Sequence, residues 1–159
     1  MIFAYADPPY VGCGHRYAEK AEINYPALRD RLMCEYSDGW ALSASSPSLR
    51  YLLPLFPEGV RVMAWVKPFA VFKPNVNPAY AWEPVIVWGG RKRTREQPTV
   101  RDWLSHNITL KKGLVGAKPR AFCLWILDVL NYQPGDTLDD LYPGTGSMGV
   151  ALVEYGCSP

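Results

Sequence analysis

Asp7-Pro8-Pro9-Tyr10 combines three features that chemistry on the amino group of a nucleobase needs. Such a nitrogen is a poor nucleophile because its lone pair is delocalised into the ring, so acceptors must hold its hydrogens and bend it towards tetrahedral geometry. Asp7 is one acceptor. The carbonyl of Pro8 is a second, with a fixed direction, because proline locks its own φ and the following Pro9 restricts it further. Tyr10 offers a ring on which an extruded base can stack. The same four residues also read as a Pro-Pro turn with an exposed acid and an exposed ring, and the tetrapeptide alone does not choose.

The second segment is Asp140-Leu141-Tyr142-Pro143-Gly144-Thr145-Gly146-Ser147, placed where an apolar strand turns into a final helix at about Met148 to Tyr155. Glycines at such a turn let a ligand approach the backbone closely. The free N–H groups of the helix start favour an anionic group, and an acid at the strand tip can meet an ammonium. A lone G-x-G is equally at home in a structural turn.

Both segments need strands to present them. Ile2 to Ala6 is a short apolar run halted by Asp-Pro-Pro, the pattern of a buried strand ending in a loop. Leu28, Leu32 and Met33 recur at helical spacing between Tyr25 and Tyr36. A strand at Trp40 to Ser45 follows, then a helix start at Ser46-Pro47. Val60 to Val66 and Pro84 to Trp88 read as strands, Ala121 to Leu130 as an apolar helix, and Thr137 to Tyr142 as a last strand. This alternation predicts one α/β domain over residues 1–159, a Rossmann-like, mostly parallel sheet with helices on both faces. A short basic insertion at about 89–117 interrupts the pattern.

Taken together, the two segments resemble the permuted, beta-class-like group of S-adenosylmethionine-dependent DNA amino-methyltransferases, the N6-adenine and N4-cytosine methylases, in which the catalytic tetrapeptide precedes the cofactor loop. Trp65-Val66-Lys67, Glu83-Pro84-Val85-Ile86-Val87, and Lys118-Pro119 leading through a helix to Gly135-Asp136 extend the likeness over most of the chain. The resemblance implies a circularly permuted methyltransferase order and the activity of a site-specific adenine-N6 DNA methyltransferase. Asp rather than Ser at the first tetrapeptide position points to adenine. The messenger-RNA adenine methyltransferases share the permuted order but carry Trp in place of Tyr10, so RNA stays open, as does a non-catalytic nucleic-acid-binding or partner subunit with this fold.

By this resemblance Asp7, Pro8, Pro9 and Tyr10 take the catalytic roles. Asp7, Lys118, Asp140, Tyr142, Pro143, Gly144, Thr145, Gly146 and Ser147 hold S-adenosylmethionine. The family usually has Pro-Phe where this chain has Leu141-Tyr142, and Ser where it has Thr145. The 159 residues end before the strand that should carry an acid for the cofactor ribose; two expectations stand, that missing C-terminal strands or a second subunit supply it, or that ribose recognition is improvised.

Charge and composition narrow the partners. The net charge is only +2, but Arg91, Lys92, Arg93 and Arg95 fall in one segment suited to a phosphate backbone. His15 and Arg16 follow the tetrapeptide closely enough to touch a target strand. A solvated loop explains the basic segment as well. With 48% hydrophobic and 20% charged residues, the chain has enough apolar content for one folded core. No apolar run reaches the roughly 18 residues of a membrane span, and cytoplasmic location is the expectation. The four cysteines are widely spaced, so free thiols and no metal site are expected. Lys67 and Glu83 are candidates to pair structurally or to border the cofactor pocket; neither spacing nor context decides between these, and no catalytic role is assigned to them.

Overall fold

The computed structural model describes residues 1–14, 22–69, 74–109 and 117–156. Strand β1 (Ile2–Ala6) is the element around which the rest is arranged. It pairs in parallel with β2 (Gly39–Ser43) on one side and with β6 (Thr137–Asp140) on the other. Strand β4 (Trp82–Gly89) is antiparallel to both β2 and β3 (Arg61–Val66), while β5 (Trp103–Ser105) lies parallel to β3. The order is β5-β3-β4-β2-β1-β6, with β4 alone running backwards.

Alternation along β1 divides two cores. Phe3 and Tyr5 point to one face, under α3 (Arg120–Leu130) and α4 (Ser147–Gly156). Ala4 and Ala6 point to the other, under α1 (Tyr25–Glu35) and the short α2 (Leu49–Leu52). Burial on both faces is why β1 and β2 read as continuous apolar runs. Helix α1 begins where the Asn24 side chain accepts the Ala27 amide at 3.0 Å, with Pro26 in its first turn. Helix α3 ends at Asn131, whose left-handed φ of 52° caps it.

Under the first face, Phe122 packs against Trp65, Trp125 and Tyr5 with ring centroids 5.2, 5.8 and 6.1 Å apart. Each such pair adds about 0.5–1.5 kcal/mol beyond its buried area. This rigid floor lies directly beneath Lys118, whose Nζ is 5.8 Å from the Trp65 and Phe122 rings.

The expected elements are present, with helices on both faces of a mostly parallel sheet. Within the 89–117 segment, Trp103–Ser105 adds β5 to the sheet edge. Three residues with one half-buried leucine are too short a run to show an alternation in sequence.

Candidate functional site

Strand direction brings the two singled-out loops together. Tyr5 stands opposite Asp140 in the β1–β6 register, and the Leu141 amide donates to the Tyr5 carbonyl at 2.9 Å. Asp7 and the loop from Asp140 to Ser147 therefore leave neighbouring strands at the same end of the sheet. Ligands of open parallel sheets bind at that end. Because β4 runs backwards, Glu83 near its start reaches the same end, as does Lys67 just after β3. Lys118, two residues before α3, completes the ring.

These side chains form one network. Lys118 Nζ lies 2.9 Å from Asp7 Oδ1 and 3.3 Å from Glu83 Oε2. Lys67 Nζ donates to Glu83 Oε1 at 2.9 Å, and the Tyr10 hydroxyl donates to Glu83 Oε2 at 2.8 Å. Two ammonium groups thus balance two carboxylates where an unpaired charge would be costly. Lys118 is only 9% exposed. Burial opposes its charge, yet Asp7, Tyr5 and Glu83 outweigh burial and push its pKa up, so it remains an ammonium. Burial pushes the Asp7 carboxyl up, against the pull of Lys118. Glu83 resists the same burial because Lys118 and Lys67 flank it, and its pKa falls.

The tetrapeptide is braced from below. The Tyr25 hydroxyl donates to the Pro9 carbonyl at 2.8 Å, whereas the Pro8 carbonyl takes part in none of the described hydrogen bonds. Tyr5 shares a 2.9 Å hydrogen bond with Ser43. Burial and the nearby Asp7 raise the Tyr5 pKa well above 10, so the phenol keeps its proton.

On the neighbouring loop, burial raises the Asp140 pKa, while the Tyr142 amide, 3.3 Å from Oδ1, opposes the rise. Gly144 and Gly146 have φ of 46° and 72°, the left-handed region. A Cβ on Gly146 would meet nothing within 4 Å, and one on Gly144 only the Tyr142 carbonyl at 3.8 Å. The backbone conformation thus asks for glycine while the space beside it is open, as a cradle for a ligand requires. Helix α4 starts at Ser147, so its first N–H groups lie at this same end. Pro143, Thr145 and Ser147 line the turn, with Thr145 and Ser147 hydroxyls 2.8 Å apart.

The basic segment is placed elsewhere. It follows β4, whose C-terminal end lies opposite the Asp7 end. Arg91 makes a two-pronged contact with Asp136 at 2.6 and 2.8 Å. Arg93 donates to the backbone carbonyls of Pro98, at 3.0 Å, and Asp128. Arg91 and Arg93 thus tie β4 to the end of α3 and the start of β6, and Lys92 and Arg95 lie beside them. His15 and Arg16 lie outside the described residues.

Lys67 and Glu83, for which the sequence left open a structural pair or a place at the cofactor pocket, do pair, and with Tyr5 and Ser43, which the sequence did not single out, they belong to the network. The available signal was an acid and a lysine at the ends of otherwise apolar runs, Trp82-Glu83 and Val66-Lys67. Cys123 is no nucleophile, because burial and the nearby Asp140 push its thiol up to about 12. Among the described residues no group of His, Cys, Asp and Glu is arranged to hold a metal ion, and no helix is long and apolar enough to cross a membrane.

No protein-family model matches the chain, and no curated protein matches it. Solved structures do. The complex of M1.HpyAVI with SAM has a TM-score of 0.68 at 16% identity, over 97% of this chain and 77% of that one. A structure of M1.HpyAVI gives 0.60 at 16% identity, over 97% and 76%. At this identity the likeness is one of fold, extending across nearly the whole chain.

Proposed function

We propose that the chain is an S-adenosylmethionine-dependent methyltransferase acting on the exocyclic amino group of a nucleic-acid base, N6 of adenine in DNA, within the permuted amino-methyltransferase class. The observation that carries this reading is the convergence of the Asp7 tetrapeptide and the Gly144 loop at the same end of adjacent parallel strands. The likeness in fold to a SAM complex supports it.

Asp140, the open Gly144–Gly146 turn and the α4 N-terminus are the residues suited to hold the cofactor, which supplies an electrophilic methyl group when bound. The protein's own contribution is positioning and electrostatics. Asp7 and the uncommitted Pro8 carbonyl accept the two hydrogens of the base amino group. Lys118 holds Asp7 as the anion that this acceptor role demands. Glu83 fixes the Tyr10 hydroxyl and so sets the plane of the ring against which the base stacks. The amine becomes acidic as it is alkylated and sheds its proton without a strong base.

The test is methylation of defined oligonucleotides with isotopically labelled cofactor. The expected product is N6-methyladenine in DNA. Label on RNA alone would move the substrate to RNA, label on cytosine would move the target base, and cofactor binding without label on any nucleic acid would leave a non-catalytic partner subunit.

A further inference from the structure

Beside Tyr10 the chain leaving β2 does not close over the surface. The turn at Ser46–Ser48 and helix α2 leave a recess of about 390 Å³, lined by Val11, Pro47, Ser48, Arg50 and Tyr51. Its size falls in the range of small-ligand sites, roughly 300–1,000 Å³. The lining pairs apolar and aromatic surface with one guanidinium and contains no carboxylate. Tyr51 is 45% exposed and Val11 39%, and none of the ion pairs among the described residues uses Arg50.

The recess is mechanically joined to the tetrapeptide. The Tyr51 ring stands edge-on to Tyr25, with centroids 6.1 Å apart and planes at 78°. Tyr25 in turn donates its hydroxyl to the Pro9 carbonyl at 2.8 Å. Val11 directly follows Tyr10, so one wall of the recess is a continuation of the tetrapeptide.

We propose that this recess binds the nucleotide adjoining the target base, with its ring against Tyr51 and the apolar edges of Val11 and Pro47 and its phosphate on Arg50. The inference rests on the nucleic-acid reading above and extends it to the flanking nucleotide. An aromatic ring beside a cation is what single-stranded segments use for sequence-tolerant binding. A base held at Tyr10 has its neighbour one phosphodiester away, and among the described residues this surface, adjoining Tyr10, has chemistry that fits both parts of a nucleotide. The arginines near Asp136 are at the wrong end of the sheet for that step.

The test measures binding of a fluorescent single-stranded DNA containing one adenine to the full chain, and cofactor affinity by calorimetry, for the parent, Tyr51→Ala, Tyr51→Phe and Arg50→Ala. Tyr51→Ala should weaken DNA binding about 5- to 150-fold, while Tyr51→Phe, which keeps the ring, stays near the parent. Arg50→Ala should lower the slope of log affinity against log salt by about one. Cofactor affinity should be unchanged throughout. Parent-like DNA binding by both alanine variants, in a parent that methylates DNA, overturns the recess and leaves the function standing. A loss in Tyr51→Phe equal to that in Tyr51→Ala overturns the stacking role. A parent that neither binds nor methylates nucleic acid overturns the functional reading and this inference with it.

Discussion

Replacing Lys118 with methionine keeps the stem of the side chain over the Trp65 and Phe122 rings and removes only the ammonium. At an effective dielectric of about 20, attraction across 2.9 Å to Asp7 amounts to about 6 kcal/mol, and across 3.3 Å to Glu83 about 5 kcal/mol. Burial of the three groups offsets most of that in the parent. In the variant the burial cost stays with the carboxylates and the compensation is gone, so the expected loss is about 3–5 kcal/mol. For a domain of this size that lowers Tm by about 6–20 °C. The loss should also depend on pH. Burial and Glu83 already push the Asp7 carboxyl up, and Lys118 pulls it down; without Lys118 its folded pKa rises further above the unfolded value. The destabilisation is then complete above that raised pKa and fades as pH falls through it towards the unfolded value. Urea unfolding followed by far-ultraviolet circular dichroism at pH 5 and pH 8 reads both effects. A loss below about 1 kcal/mol at pH 8, or one equal at the two pH values, would refute the reasoning. Adding Asp7→Asn to the variant should restore part of the lost stability, since the two positions share one interaction.

Asp7→Ala should abolish methyl transfer and leave S-adenosylmethionine affinity within a few-fold, as measured by single-turnover kinetics and calorimetry; equal losses in both would assign Asp7 to the cofactor. The Asp136 carboxyl is opposed by burial but held down to about 2 by Arg91, the N-terminal ammonium and the Gln133 amide. It therefore contributes stability that is present above pH 4 and lost as pH falls towards 2, and Asp136→Asn should flatten that acid limb in thermal melts. Arg91→Ala should lower stability with little change in nucleic-acid affinity. Lys92→Ala with Arg95→Ala should flatten the salt dependence of nucleic-acid binding, and an unchanged slope would assign the segment to structure alone.

Much of the scaffold was legible because its signals are local. The apolar runs at Ile2–Ala6 and Val85–Val87, the helical spacing of Leu28 and Leu32, and the Pro and Gly punctuation each follow from a few neighbouring residues. The tetrapeptide and the Gly144 loop were legible for the same reason. What was hidden depends on strand direction. Nothing near Glu83 says that β4 runs against its neighbours, yet that reversal is what carries Glu83 to the Asp7 end and the Arg91 segment to the other. Charge clustering in sequence made the arginines conspicuous, although Arg91 and Arg93 are bonded to Asp136 and to backbone carbonyls. Lys67 and Glu83, one charge at the edge of each apolar run, gave little sequence signal and meet at the centre of the network.

The placement of β1 also governs how the chain must fold. It precedes the other described strands in the sequence, yet one of its edges is completed only by β6, and the ammonium at Met1 meets Asp136 across 135 residues. Until β6 emerges, a newly made chain carries the apolar strand β1 with one edge open, because the partner for that edge does not yet exist. Pairings over such long separations fold slowly, and an unpaired edge of this composition invites association between nascent chains. Moving residues 137–156 ahead of residue 1 in a circular permutant would let β6 and β1 pair as they emerge, shortening the interval in which that edge is bare.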